Sequence, residues 1–389
     1  MKNNKIRRII LSGNTAWGMY NFRSSLLSHL VSLGYEVYVA APYDNIYFDK
    51  LEKLGCTVFN LPINAKGTNP LEDIKLIARY YRIFRKIHPD ISLTYTIKPN
   101  IYGSIAAQIT KTHHMPITTG LGYVFLNSGI TSFVAKALYK IAFAKADSVL
   151  FLNNDDMEIF KSLHLLASNK AVRLYGEGVD IDKFYFTPKE NFSKDNVTFL
   201  LIGRMLYDKG IREYVEAAKL IKKRYKKVTF KLLGAIWEGN PSSITHQQIE
   251  TWEKLGYVDY LGETSDVRPF IEDADCVVLP SYREGIPCTL MEASSMGRPL
   301  IATDVPGCNE VLEDNYNGFI CNVKSSISLA NQMEHFLKLS FDEKLRLGRN
   351  GRLLMEKKFC IERIISQYDK LLNNGILYIS FGLAVTMLL

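Results

Sequence analysis

The run Cys276-Val277-Val278-Leu279-Pro280 leads, two residues on, into Arg283-Glu284-Gly285-Ile286-Pro287-Cys288-Thr289-Leu290-Met291-Glu292, and this stretch decides the fold. A short apolar run closed by proline reads as a buried strand. Gly285 lets backbone approach a ligand at the turn, and Pro287 suits a first helical turn. Helical spacing then continues to Gly297. The unit is strand, loop, helix. Backbone N–H groups at such a helix start form an anion site. Glu284 in the loop and Glu292 about two turns into the helix would face it. Two carboxylates are ill suited to phosphate alone. They suit a ligand that carries hydroxyls as well as phosphate, as a sugar nucleotide does.

The same alternation extends in both directions. Apolar, β-rich runs lie at 8–13, 36–42, 57–62, 91–96, 116–119 and 148–153, with helical patterns between most of them. A second series lies at 197–203, 228–234, 257–261, 276–280, 300–303 and 318–322. This predicts an α/β protein with two Rossmann-like, doubly wound parallel sheets. The expected organisation is a first domain over 1–178, a linker over 179–196, a nucleotide-binding domain over 197–355, a helix over 356–375 and an apolar tail over 376–389. Asn373-Asn374-Gly375 reads as the stop of that helix. As a helix, the tail would reach roughly 21 Å, short of a bilayer core of about 30 Å. It reads as dispensable.

The chain has 389 residues and a formal charge of +8. Residues 1–190 carry 23 Lys and Arg against 15 Asp and Glu, an excess of 8, while residues 191–389 carry 25 against 25. A basic half implies an anionic partner. The segments 74–87 and 130–146 interleave basic and apolar residues at helical spacing, a pattern that fits an anionic membrane surface or an ordinary core-facing helix. Nucleic acid is not expected, because the basic residues lie on helices rather than among stacking aromatics on a sheet face. The six cysteines form no CxxC pair, which argues against a disulfide framework or a zinc site and fits a reducing cytoplasm.

Ligands of open parallel sheets bind beyond the carboxyl ends of the strands. After the first strand comes Gly13-Asn14-Thr15-Ala16-Trp17-Gly18, a turn before a helix expected over 22–33. After the first strand of the second series comes Gly203-Arg204-Met205-Leu206-Tyr207-Asp208-Lys209-Gly210. Arg204 can grip phosphate with two N–H groups, and Lys209 adds a point charge. Gly234-Ala235 would let a nucleotide pass close. Lys98 follows another strand, and Asn100 suits a helix cap after Pro99. His113-His114 falls before a strand, at the end opposite to catalysis.

Taken together, Gly203-Arg204 with Lys209-Gly210, Ser265-Asp266-Val267, Leu279-Pro280-Ser281, the Glu284/Glu292 pair, Gly297, Pro299, Pro306-Gly307, Glu310 and Asn317-Gly318 resemble the retaining family 4 glycosyltransferases of GT-B fold. The resemblance is specific over about 197–322 and looser over 6–375. Tyr20-Asn21-Phe22-Arg23, Thr96-Ile97-Lys98-Pro99-Asn100, Tyr102-Gly103 and Gly120-Leu121-Gly122-Tyr123 are similar to bacterial transferases that build O-antigen, capsule or N-glycan precursors on undecaprenyl diphosphate, often with N-acetylgalactosamine from UDP.

The resemblance implies roles. Arg204 and Lys209 would hold the UDP diphosphate. Glu284 would bind donor-sugar hydroxyls, with Gly285, Ile286 and Pro287 placing N–H groups nearby. Glu292 would accept from the ribose. Gly203, Gly234, Asp266, Val267 and Leu290 would complete the donor pocket, and Gly18 would cover the diphosphate. Tyr20, Arg23, Lys98, Asn100, Thr119, Gly120, Gly122 and Tyr123 would meet the acceptor. The catalytic residues would be Arg204, Lys209 and Glu284. No metal or other cofactor is expected, since cations and helix N–H groups can carry the phosphate charge. The expected place is the cytoplasm, peripherally on the inner face of the plasma membrane. The alternatives are a non-catalytic subunit that binds nucleotide sugar and recruits a partner transferase, and a sugar-nucleotide epimerase on the same fold.

Overall fold

The computed structural model describes residues 7–65, 67, 69–121, 129–189, 196–237 and 239–386, and for 130 and 374–386 the backbone only. It divides into two units, 1–177 with 364–389, and 178–363.

In the first unit, β1 (Arg8–Ser12), β2 (Glu36–Ala41), β3 (Thr57–Asn60), β4 (Ile91–Tyr95), β5 (His113–Thr118), β6 (Val149–Phe151) and β7 (Ala171–Arg173) form one sheet in the order β3-β2-β1-β4-β5-β6-β7. The strands pair in parallel, with Leu11 opposite Val39 on one side and Leu93 on the other. Ile9, Ile10 and Leu11 are fully buried, as consecutive residues of a central strand covered on both faces must be.

The second unit repeats the plan with β8 (Thr198–Ile202), β9 (Thr229–Leu233), β10 (Asp259–Tyr260), β11 (Cys276–Leu279), β12 (Leu300–Thr303) and β13 (Gly318–Cys321), in the order β10-β9-β8-β11-β12-β13. In each sheet the winding reverses beside the first strand. The two crevices for ligand therefore lie at the carboxyl ends of β1/β4 and of β8/β11.

The helix after β1 runs Ala16–Ser32 and so begins six residues before the expected start. The Thr15 side chain accepts from the Gly18 N–H and caps it, which places Gly18 inside the first turn rather than in a flexible loop. The helix Pro70–Ile87 starts behind Asn69 and Pro70 and buries Leu76, Tyr80, Phe84 and Ile87 along one stripe. β7 was not anticipated: three half-buried residues at a sheet edge leave no periodic signal. The C-terminal helix runs Ile361–Thr386, straight through the stop expected at Asn373-Asn374-Gly375. One interior glycine costs a helix only about 1 kcal/mol, and no proline follows to end it. Its described residues from 364 on belong to the first unit, where the Tyr368 hydroxyl meets that of Tyr95 at 3.1 Å and Asp369 meets His29 at 3.0 Å.

Residues 179–189, expected as linker, pack on the second unit. The Val179 N–H donates to Phe359 O at 2.8 Å, and Val179 O accepts from Ile361 at 3.0 Å. The Ser295 hydroxyl donates to Phe184 O at 2.7 Å. The buried guanidinium of Arg298 donates to the carbonyls of Thr187, Ile271 and Glu272.

Candidate active site

Three loops of the second unit lock together at the carboxyl ends of β8, β9 and β11. Gly234 has φ +143°, and a Cβ there would lie 2.0 Å from Gly203 O. Gly210 has φ +71°, and its Cβ would lie 2.1 Å from Pro280 O. Glycine is needed at both because backbone passes against backbone. Asp208 O accepts from the Tyr282 N–H at 2.8 Å and from the Ser281 hydroxyl at 3.1 Å, tying the loop after β8 to the loop after β11. Glu284 donates its own N–H to Pro306 O at 3.2 Å.

This lock brings side chains 75 residues apart into contact: Lys209 Nζ donates to Glu284 Oε1, with side-chain exposures of 18% and 12%. A cation and a carboxylate thus occupy adjoining points at the strand ends. Arg204, on the same loop, is exposed, and its guanidinium lies 5.0 Å from the Trp237 ring centre. The helix Cys288–Ser295 begins at Pro287 with no side-chain cap on its first turn. Ile286 and Pro287 are buried, which leaves their backbone as the part available to a ligand. Leu290 is fully buried and supports the helix from behind.

Glu292 projects from the second turn of that helix. Among the described residues its carboxylate has no hydrogen-bond partner. It keeps some surface, yet protein surrounds it closely, and loss of hydration pushes its pKa up to about 7; Lys183 opposes the rise and Asp266 adds to it. Asp266 is itself forked by Arg268, Nε to Oδ1 at 2.8 Å and Nη2 to Oδ2 at 2.7 Å, which lowers its pKa. Val267 follows, half-buried. The electrostatic partners place Glu292, Asp266 and Lys183 in one neighbourhood. Lys183 was missed because it lies in the stretch read as linker, where no spacing marks it.

The residues expected to meet an acceptor separate into two kinds. Arg23 is sealed: Nη1 donates to Gly18 O at 2.9 Å, Nη2 pairs with Glu177, and the guanidinium lies 4.1 Å from the Tyr95 ring centre. The side chains of the pair are 7% and 10% exposed, and burial raises the Glu177 pKa although Arg23 opposes it. This geometry is architectural, and Arg23 is out of reach of an acceptor. Asn100 is buried too, its amide donating to Ile117 O at 2.9 Å. It sits in a π-helical turn, Pro99–Gly103, rather than at a helix cap. Lys98 reaches Asp73 at 2.7 Å. Tyr20 is half-buried, with the Lys50 ammonium 5.3 Å from its ring. Thr119 and Gly120 are half-buried beyond β5, and Gly122 and Tyr123 lie outside the described residues. His113 and His114 open β5, at its amino end; His113 pairs with Asp147 at 2.9 Å and His114 is buried.

Among the described residues, no three His, Cys, Asp or Glu side chains are grouped to hold a metal ion, and no helix is long and apolar enough to cross a membrane. Five of the six cysteines are buried; Cys288, the first residue of the helix that carries Glu292, is partly exposed.

Two doubly wound sheets, with cations and carboxylates converging at the switch point of the second, define a glycosyltransferase of GT-B architecture. Residues 182–354 match the family described as "Glycosyl transferases group 1", and residues 8–153 match the one described as "Glycosyl transferase 4-like". It is 28% identical over 388 residues to the N,N'-diacetylbacillosaminyl-diphospho-undecaprenol alpha-1,3-N-acetylgalactosaminyltransferase of Campylobacter jejuni, covering 94% of this chain and 100% of the relative. It is 26% identical to the UDP-Gal:alpha-D-GlcNAc-diphosphoundecaprenol alpha-1,3-galactosyltransferase of Escherichia coli, over 80% of this chain and 82% of that one. The structure of Anabaena HepE in complex with UDP and glucose superposes with a TM-score of 0.78 at 20% identity, covering 94% of this chain and 99% of HepE, and so shares the fold.

Proposed function

We propose that this glycosyltransferase moves a sugar from a UDP-sugar, a HexNAc and by first choice GalNAc, to a hydroxyl of an undecaprenyl-diphosphate-linked saccharide in surface polysaccharide assembly. The observation that carries the reading is the contact of Lys209 with Glu284 at the β8/β11 crevice. A donor needs both a cation for its diphosphate and a carboxylate for its sugar hydroxyls, on either side of the bond that breaks. The acceptor and the HexNAc are supported by the name of the Campylobacter jejuni relative, which is matched over its whole length.

The reaction proceeds with retention. The acceptor hydroxyl oxygen bonds to the anomeric carbon from the face that the phosphate oxygen leaves. The carbon–oxygen bond to the phosphate breaks, and the hydroxyl proton passes to the departing phosphate. Arg204, Lys209 and the uncapped helix start stabilise the negative charge that develops there, which is commonly the largest catalytic contribution. Glu284 holds the donor sugar for front-face attack. This division of labour requires neither an enzymic nucleophile nor a metal.

The acceptor is held in a membrane, and two surfaces of the first unit suit docking on an anionic bilayer. On the helix Ile130–Phe143, Phe133, Val134 and Ile141 are exposed beside Lys140. On the helix Pro70–Ile87, Leu71, Ile74 and Tyr81 are exposed among basic residues. The deciding experiment is transfer from a panel of UDP-sugars to undecaprenyl-diphosphate HexNAc in EDTA. Turnover with one UDP-HexNAc, lost in Glu284→Gln and Arg204→Ala, is the expected result. UDP binding with no turnover on any donor or lipid would overturn it.

A further inference from the structure

The two cations at the donor crevice are held in different ways. Lys209 is paired with Glu284, which takes up part of its charge and its N–H donors. Arg204 is exposed, and among the described residues its guanidinium makes no hydrogen bond or ion pair. Its partner is the Trp237 ring, whose centre lies 5.0 Å from the guanidinium carbon.

Trp237 keeps 40% of its surface exposed, yet the backbone around it is tied down. Before it, Gly234 lies against Gly203 O, the Met205 N–H donates to Ala235 O at 2.9 Å, and Ile236 packs on the core of the second unit. After it, the Asn240 N–H donates to Trp237 O at 3.2 Å, and Asn240 Oδ1 accepts from the Ser242 N–H at 3.0 Å. Ser242 O accepts from the Tyr207 N–H at 2.8 Å, and the Ile244 N–H donates to Met205 O at 2.9 Å. The loop after β9 is therefore sewn to the loop after β8 on both sides of Arg204, at Gly203 and at Met205. Indole and guanidinium ride on two backbones fixed against each other.

The chemistry of the contact suits a cation that must stay available. A ring face attracts a guanidinium through its quadrupole and leaves the N–H groups at the guanidinium edge for other acceptors. A carboxylate partner would occupy those groups, as Glu284 does at Lys209. A phosphate takes them two at a time, in a fork. A long exposed side chain with no partner would lose its rotamer freedom only on binding, and a side chain already held by a ring loses less. We propose that Trp237 is a positioning residue, which holds Arg204 ready for the donor's diphosphate without using its N–H donors. This role rests on the reading of Arg204 as a diphosphate ligand. It differs from the other use of an exposed indole beside a nucleotide site, stacking on the base or the sugar.

The test is a double-mutant cycle on the full chain: wild type, Trp237→Leu, Arg204→Ala and the two combined, with Trp237→Phe as the conservative variant. UDP affinity is read by calorimetry and uridine binding by NMR titration, so turnover is not needed. Trp237→Leu should weaken UDP about two- to fivefold, the worth of an exposed cation–π contact, and Trp237→Phe less. Uridine, which has no phosphate, should bind all five proteins alike. In the Arg204→Ala background Trp237→Leu should have no further effect. The same loss of UDP affinity in that background, weaker uridine binding by Trp237→Leu, or unchanged UDP affinity in Trp237→Leu would overturn the positioning role and leave Arg204 as a diphosphate ligand. UDP affinity unmoved by Arg204→Ala would remove that ligand, and the positioning role with it.

Discussion

Two ion pairs divide the molecule's labour. Arg23–Glu177 in the first unit and Lys209–Glu284 in the second each join groups remote in sequence, in direct hydrogen-bonded contact. The first lies under the Tyr95 ring, with Tyr95 itself bonded to Tyr368 of the C-terminal helix. The second lies at a switch point, between loops pinned by glycine. On the proposed function, the same pairing serves architecture where it is sealed and chemistry where strand ends open. Residue type does not separate the two roles; position on the doubly wound sheet does.

Breaking the sealed pair should have the largest effect on folding. Arg23→Met leaves Glu177 buried and unpaired and should cost about 3–5 kcal/mol of stability, read by denaturant unfolding. Breaking the open pair should act on turnover instead. Lys209→Ala or Glu284→Gln should lower kcat/KM by about 10²–10³ with little change in melting temperature. If the two sets of variants behaved alike, the comparison would fail. Next comes the lock that builds the open pair. Gly210→Ala forces a Cβ into Pro280 O and should cost about 2–3 kcal/mol in unfolding experiments.

A smaller effect comes from Glu292. With its pKa pushed from an ordinary 4.5 to about 7, it is mostly protonated at pH 6 and mostly ionised at pH 8. If the ionised form accepts from the ribose, UDP affinity should fall about tenfold from pH 8 to pH 6, and Glu292→Gln should flatten the profile in calorimetric titrations. The sign for stability is opposite. Between 4.5 and 7 the folded chain holds a proton that the unfolded chain has released, so this group's contribution falls as pH rises and is lost above the folded pKa. The smallest effect belongs to the Arg204–Trp237 stack. Trp237→Ala should raise the donor KM about two- to fivefold and Trp237→Phe less, as an exposed cation–π contact implies.

The sheets were legible because central parallel strands are continuous apolar runs, as in Ile9-Ile10-Leu11 and Cys276-Val277-Val278-Leu279. The meeting of Lys209 and Glu284 was legible because both lie just beyond strand ends flanking the switch point of the second sheet. What stayed hidden depends on folding partners far away. Arg23 beside Phe22 resembles a ligand-binding arginine until Glu177 and Tyr95 close over it. Lys98 cannot announce Asp73, and Asp73 in a first helical turn looks like an ordinary dipole partner. The π-helical turn at Pro99–Gly103 and the short edge strand at Ala171–Arg173 have no periodic signature of their own.

Cys288 offers a practical handle. With the other five thiols buried, a maleimide or a spin label should modify this one position, on the helix whose start would face the nucleotide under the proposed function. The native sequence thus carries a single reporter of donor occupancy, and the rate of its alkylation, with and without UDP, can be followed by intact-mass spectrometry on unmutated protein.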